Sequence, residues 1–184
     1  MDEPLNFCSN CGAPVALTIP PGDHLPRFVC RTCGTIHYQN PRLVLGCVPM
    51  WEDRILLCRR AIEPRRGYWT VPAGFMENGE SLEQAAAREC QEEANASVEI
   101  GSLLAVASVT HASQVHVMFR ARLLNPEFSA GPESEAVGLY REEDVPWGEI
   151  AFPSGEFTLR RFYADRKAGR EGYHFTVLDR PLKR

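Results

Sequence analysis

Three carboxylates, Glu89, Glu92 and Glu93, stand at i, i+3 and i+4 in a stretch free of Gly and Pro from Ser81 to Ala94. In a helix that spacing puts all three on one face within about one turn. Like charges so placed repel, at a cost of about 0.2–0.5 kcal/mol per pair. Such a stripe is either a solvated acidic face or a cation site, and clustered carboxylate oxygens suit Mg²⁺ or Mn²⁺. A second set is sulfur: Cys8-Ser-Asn-Cys11-Gly12 and Cys30-Arg-Thr-Cys33-Gly34. One CxxC could be a redox pair. Two CxxCG units match a tetrahedral four-cysteine zinc site, closed to substrate and therefore structural. A module of about 40 residues buries too little apolar area to fold without such help. Cys47, Cys58 and Cys90 lie apart in apolar or helical contexts and read as small core residues.

The elements that must position these groups are legible in outline. Pro14, Pro20, Pro21, Gly22 and Pro26 confine the N-terminal segment to short strands and turns. Residues 42–50 and 55–58 are apolar runs around the polar turn Trp51–Arg54, a hairpin pattern. Residues 59–68 read as a basic loop. Ser81 and Gln84 form a capping-box pair that opens a helix running to about Ala94. Residues 96–109 and 114–124 predict two or three strands, and 137–140 a short one. A second helix is expected from about Gly155 to Ala168 with Ser154 as its cap, then an extended tail from Tyr173. Strands interleaved with two main helices imply a mixed, layered α/β domain. The expected division is 1–40 for the ribbon and 41–184 for the α/β domain.

Composition narrows the function. The 184 residues are 44% hydrophobic and 24% charged, ordinary values for a globular chain. No apolar run approaches the roughly 20 residues of a membrane helix. The net charge of −4 argues against a generic binder of nucleic acid or anionic membrane. The opening Met-Asp-Glu-Pro has neither a basic region nor an apolar stretch behind it, so a reducing, cytoplasmic setting without disulfides is expected.

Gly74, Glu80, Arg88-Glu89, Cys90 and Glu92-Glu93 are spaced as in the box Gly-x5-Glu-x7-Arg-Glu-U-x-Glu-Glu, where U is apolar, and the chain thereby resembles the Nudix hydrolases. It departs from the box at Asn95, where the family has Gly, and at Ala96. Asn tolerates positive φ next best after Gly, so the turn can survive. With the ribbon, Tyr38-Gln39-Asn40-Pro41, Cys58-Arg59-Arg60, Trp69–Phe75 and Gly131-Pro132-Glu133-Ser134, it is similar to a zinc-ribbon subgroup that includes plant plastid FAD and ADP-ribose pyrophosphatases. The signature of the NADH-pyrophosphatase branch is missing.

The resemblance implies a Nudix α/β/α sandwich with a mixed sheet behind an N-terminal zinc ribbon. It implies hydrolysis of a nucleoside diphosphate linked to another moiety, FAD or ADP-ribose first and NADH as the alternative, with release of AMP. Two or three Mg²⁺ or Mn²⁺ ions would be held by Glu89, Glu92, Glu93 and the carbonyl of Ala73, and one Zn²⁺ by Cys8, Cys11, Cys30 and Cys33. Arg88 would hold the carboxylates in register and Glu80 would brace the loop. Glu133, or failing it Glu135, would act as the base. Arg59, Arg60 and Arg66 are candidates for phosphate, and Tyr68, Phe75 and Phe157 for stacking, whereas Trp69 reads as core. His111 and His116 flank Gln114 on a strand; one of them is a candidate to line the pocket, behind the first reading of a satisfied or exposed histidine. The resemblance is compatible with a homodimer. A non-catalytic zinc-ribbon binding module is the reading from a different class, and a degenerate box, which it requires, is not present.

Overall fold

Short strands between prolines make up the N-terminal unit in the computed structural model, which describes residues 5–179. β1 (Val15–Thr18), β2 (Arg27–Cys30) and β3 (Ile36–His37) form an antiparallel sheet in that order. The two knuckles repeat one hydrogen-bond pattern: the Gly12 N–H donates to the Cys8 carbonyl, and the Gly34 N–H to that of Cys30, both at 2.9 Å. Contacts divide the chain into Met1–Pro41 and Arg42–Arg184, one residue beyond the expected boundary.

The second unit is built on β4 (Arg42–Trp51), β5 (Arg54–Arg60), β6 (Trp69–Thr70), β7 (Ala73–Phe75), β8 (Val98–Val109), β9 (Gln114–Leu123), β10 (Ser134–Tyr140) and β11 (His174–Leu178). The main path is β10-β5-β4-β9-β8-β11; β6 pairs with β5 and β7 with β4. The sheet is mixed, because β4–β9 and β8–β11 run parallel. Alternation along each strand separates two cores. Leu45, Cys47, Leu56, Cys58, Phe119 and Leu123 face α1 (Leu82–Ala94). Val48, Ile55, Leu57, Leu104 and Met118 face α2 (Pro153–Lys167), which buries Leu159, Phe162 and Tyr163. Cys47, Cys58 and Cys90 are all buried. No helix among the described residues is long and apolar enough to cross a membrane.

The expected cap of the second helix is corrected. Its N-cap is Phe152 and Pro153 takes the first turn, where a missing N–H costs nothing. Ser154 is therefore inside the helix, and its carbonyl accepts from Thr158 Oγ1 at 2.7 Å.

At the other end of α2, Asp165 is buried and gathers distant strands. Its Oδ2 accepts from Arg120 on β9, from the Gly172 N–H (3.0 Å) and from His174 Nε2 on β11 (2.9 Å). Arg170 Nε lies 3.5 Å from Oδ1. Burial works to raise the Asp165 pKa, but His174, the Gly172 amide and Arg120 outweigh it and hold the carboxyl below its ordinary value. A carboxyl with a depressed folded-state pKa stabilises above its unfolded value, and the gain is lost as the pH falls through the folded one. Asp165→Asn is therefore expected to lower urea stability at pH 7 by about 3 kcal/mol, the low end for breaking a buried pair, because Arg120 is left mostly buried without its counter-charge but keeps the Leu103 and Gly172 carbonyls. The variant should also lose the wild type's acid dependence below the usual carboxylate range. Equal stability at pH 7 would overturn this.

Candidate active site

Helix α1 begins where the sequence says it should. Ser81 Oγ accepts from the Gln84 N–H, and the Gln84 side chain accepts from the Ser81 N–H at 2.8 Å. The apolar face, with Ala85, Ala86, Cys90 and Ala94, packs on the sheet, which leaves Glu89, Glu92 and Glu93 on the flank toward β7. Glu89 and Glu93 are only 7% and 8% exposed, whereas Glu92 is open to solvent. Gly74 makes the close approach possible: a Cβ there would lie 2.3 Å from Glu89 Oε2.

Arg88 uses all five of its N–H donors, four of them on the acids. Nε and Nη2 grip Glu80 at 2.6 and 3.1 Å, Nη1 donates to Glu89 (2.7 Å) and Glu92 (2.9 Å), and Nη2 also donates to the Phe75 carbonyl (2.9 Å). Glu80 Oε2 in turn accepts from the Glu77 N–H at 2.9 Å, so it braces the loop as well as the arginine. Such charge-assisted, forked contacts set orientation as well as strength.

Glu93 has no such partner. Its Oε2 is buried with no hydrogen bond among the described residues. Burial first, and Glu89 second, push its pKa up to about 8, while Arg60 and the Ala73 amide oppose them. Glu89 is also raised, mainly by burial. Two buried hard-oxygen donors beside Ala73, one with an orphaned atom, form a donor set suited to a divalent cation. The four-cysteine cluster passes the equivalent test for zinc. The sulfurs lie within 4.8 Å of one another, with Cys8–Cys33 at 3.6 Å and Cys11–Cys30 at 3.5 Å. A tetrahedron with Zn–S near 2.3 Å has edges of about 3.8 Å. His37 Nε2 sits 3.3 Å from Cys8 Sγ, and Thr35 Oγ1 3.1 Å from Cys33 Sγ.

The departure at Asn95 has a physical account. Asn95 ends α1 in the left-handed region, φ 47°. Its side-chain amide donates to Ser129 Oγ at 3.1 Å and lies 3.3 Å from the carbonyls of Ser129 and Ala130, contacts that glycine cannot make. The same segment satisfies the helix end, through Ser129 N–H to Ala94 and Gly131 N–H to Glu93. A Cβ on Gly131 would fall 1.8 Å from the Glu92 carbonyl, so only glycine passes there.

A cavity of about 1140 Å³ opens over the acids. Among the residues singled out in the sequence, Arg60, Ala73, Phe75, Arg88, Glu89, Glu92, Glu93 and Glu133 line it. Arg59 and Tyr68 do not, nor do Arg66, Phe157 and Glu135. Neighbouring strand residues point to opposite faces, so Arg59 and Arg60 cannot both enter. Arg59 Nε instead donates to the Gly67 carbonyl (2.8 Å), and the Arg65 guanidinium covers the Tyr68 ring at 5.1 Å. Arg66 is taken by Glu135 at 3.2 Å, and Phe157 by Arg161 at 5.2 Å. Trp69 is packed edge-on against Tyr140 in the core. His111, Gln114, His116, Met118 and the start of α2 also line the cavity. His111 is exposed and His116 is bonded to Gln114, as expected, and both line the cavity, where one at most was a candidate. The alternation of Gln114, His116 and Met118 was the available sign, but which face it met depended on pairing β9 with β4.

This fold is that of the Nudix family, to which the chain belongs: the NUDIX domain model matches residues 40–165, and the zinc-ribbon model described as Nudix N-terminal matches 6–39. Among individual proteins, the chain is 30% identical over 173 residues to the NAD-capped RNA hydrolase NudC of Vibrio parahaemolyticus, covering 90% of this chain and 64% of that one. It is 27% identical over 119 residues to an ADP-ribose pyrophosphatase of Methanocaldococcus jannaschii, covering 62% and 69%. A Nudix hydrolase structure from Nitrosomonas europaea superposes with TM-score 0.93 at 52% identity, covering 96% of this chain and all of that one. The chain spans between about a third and two-thirds of the length of the NudC relatives it matches.

Proposed function

We propose that the second unit hydrolyses the pyrophosphate bond of a nucleoside diphosphate linked to another moiety, ADP-ribose or FAD before NADH, and releases AMP. The observation that carries this is the buried Glu89–Glu93 pair with its unpartnered oxygen at the floor of the large cavity. Glu89, Glu92, Glu93 and the Ala73 carbonyl would hold Mg²⁺ or Mn²⁺, which when bound neutralises phosphate oxygens and lowers the pKa of water. Arg60 enters the cavity with one face against the Phe152 ring, at 5.1 Å, and would meet the anhydride. Glu133 is the better-placed base, because it lines the cavity while Glu135 is engaged by Arg66. In the reaction the water oxygen bonds to one phosphorus, Glu133 takes the proton, and the bridging P–O bond breaks with its electrons on the departing phosphate. The N-terminal unit would bind one structural Zn²⁺ through its four cysteines.

The order of substrates rests on the resemblance to the plastid-type FAD and ADP-ribose enzymes and on the missing NADH signature. The NudC relatives favour a second reading, in which NAD(H), free or as an RNA cap, is the substrate. ADP-ribose, FAD, NADH and NAD-capped RNA incubated with Mg²⁺ and with Mn²⁺, products separated by chromatography, decide between them. ADP-ribose or FAD is expected to have the highest kcat/KM, by less than tenfold, because the shared ADP half binds uniformly and cannot separate them. A tenfold advantage for NADH over both would transfer the assignment to the second reading. No cleavage of any of them would end the proposal.

A further inference from the structure

We propose that Gln114 and His116 on β9 form the nucleoside subsite of this cavity, reading the uncharged hydrogen-bonding edge of a purine base; this rests on the pyrophosphohydrolase reading above. The cavity has two chemically different ends. One carries the acids with Arg60 and Arg88. The described residues that line the other, Val44, Val109, His111, Gln114, His116, Met118 and Leu178, include no carboxylate, lysine or arginine. Strand register sets the distance between the ends. His116 pairs with Val44, and Val44 pairs on its other side with Phe75, so His116 lies two strand spacings from β7. That is roughly 10 Å, a span of about one nucleoside between the anhydride over β7 and a base edge over β9.

The pair also has the right valences. His116 Nε2 and Gln114 Oε1 are 2.9 Å apart, a contact in which the imidazole N–H donates to the amide carbonyl. Burial lowers the His116 pKa to about 4, so near neutrality the ring is uncharged and poorly suited to phosphate. With Nε2 as donor, Nδ1 remains an acceptor and the Gln114 amide keeps its N–H donors, which have no other partner among the described side-chain contacts. A free donor on Gln114 and a free acceptor on His116 are the two valences that a purine edge takes, as glutamine supplies them to adenine in other settings.

The test is calorimetric titration of the full chain in Mg²⁺ buffer with AMP and with ribose 5-phosphate, neither of which has an anhydride to hydrolyse. Wild type should bind AMP at least tenfold more tightly than ribose 5-phosphate. Gln114→Ala and His116→Ala should each weaken AMP about tenfold and leave ribose 5-phosphate unchanged. His116→Asn, which keeps a hydrogen-bonding side chain, should recover part of the loss and guards against a folding defect in the alanine variant. Equal affinities in wild type, no binding of either compound, or a parallel loss of both in the variants would overturn the subsite. So would selective loss of ribose 5-phosphate, which would place the sugar half there. Failure of the hydrolytic reading shows separately, as AMP binding with this pattern in a protein that cleaves no dinucleotide.

Discussion

Glu93→Gln is expected to lower kcat by at least two orders of magnitude, a loss of at least about 2.7 kcal/mol of transition-state stabilisation, while leaving the protein as stable as wild type or more so. The two halves have one cause. Glu93 keeps a buried oxygen without a partner beside Glu89, and burial with that neighbour raises its pKa to about 8. Without a cation this arrangement costs folding energy, so the isosteric neutral side chain relieves it. With a cation it is a ligand, and the amide is a poorer one. Glu92→Gln should lose activity to a similar degree by a simpler route, since Glu92 is exposed and among the described residues its one side-chain partner is Arg88. Steady-state kinetics at saturating Mg²⁺ and Mn²⁺, with thermal melts of the same samples, check both. Retained turnover in both variants would place the ions elsewhere. A lower melting temperature for Glu93→Gln would make Glu93 a structural carboxylate.

The parts of this site legible in the sequence are those written locally. Helix geometry alone puts Glu89, Glu92 and Glu93 on one face, and the Ser81–Gln84 cap is complete within four residues. The knuckles are similarly local. What could not be read depends on pairing between distant segments. Arg59 and Arg60 are equivalent in sequence, and only the side of β5 each occupies admits one to the cavity and turns the other toward Gly67. Asp165 stands four residues after Arg161, as a surface pair would, yet its partner is Arg120 on a strand that only the folded sheet brings near. The histidine wall needed the parallel β4–β9 register, and β11 joins β8 from the far end of the chain. Ser154 failed as a cap because Pro153, with its fixed φ, already suits the first helical turn.

Cys30→Ser should abolish zinc retention and cooperative folding of the N-terminal unit while the second unit keeps its own thermal transition. That unit has strands of four, four and two residues. Cys8, Pro20 and Cys30 are its only buried residues among the described ones, whereas Phe7, Leu17, Ile19 and Tyr38 are exposed. With almost no apolar core, the hydrophobic term is too small to offset the entropy of ordering the chain. Structural zinc supplies about 10–16 kcal/mol in comparable peptides. Cys30 is a demanding position, because it ends β2, is fully buried, and lies 3.5 Å from Cys11 Sγ. A serine hydroxyl there is a weaker ligand for zinc than a thiolate and shortens the reach to the metal. Protein purified without added zinc should contain about one equivalent in wild type and almost none in the variant, measured by elemental analysis. Amide signals of residues 5–41 should collapse to unfolded positions in the full-length variant, and those of α1 and its sheet should not. Unchanged zinc content together with unchanged signals would show that sulfur ligation does not hold this unit together.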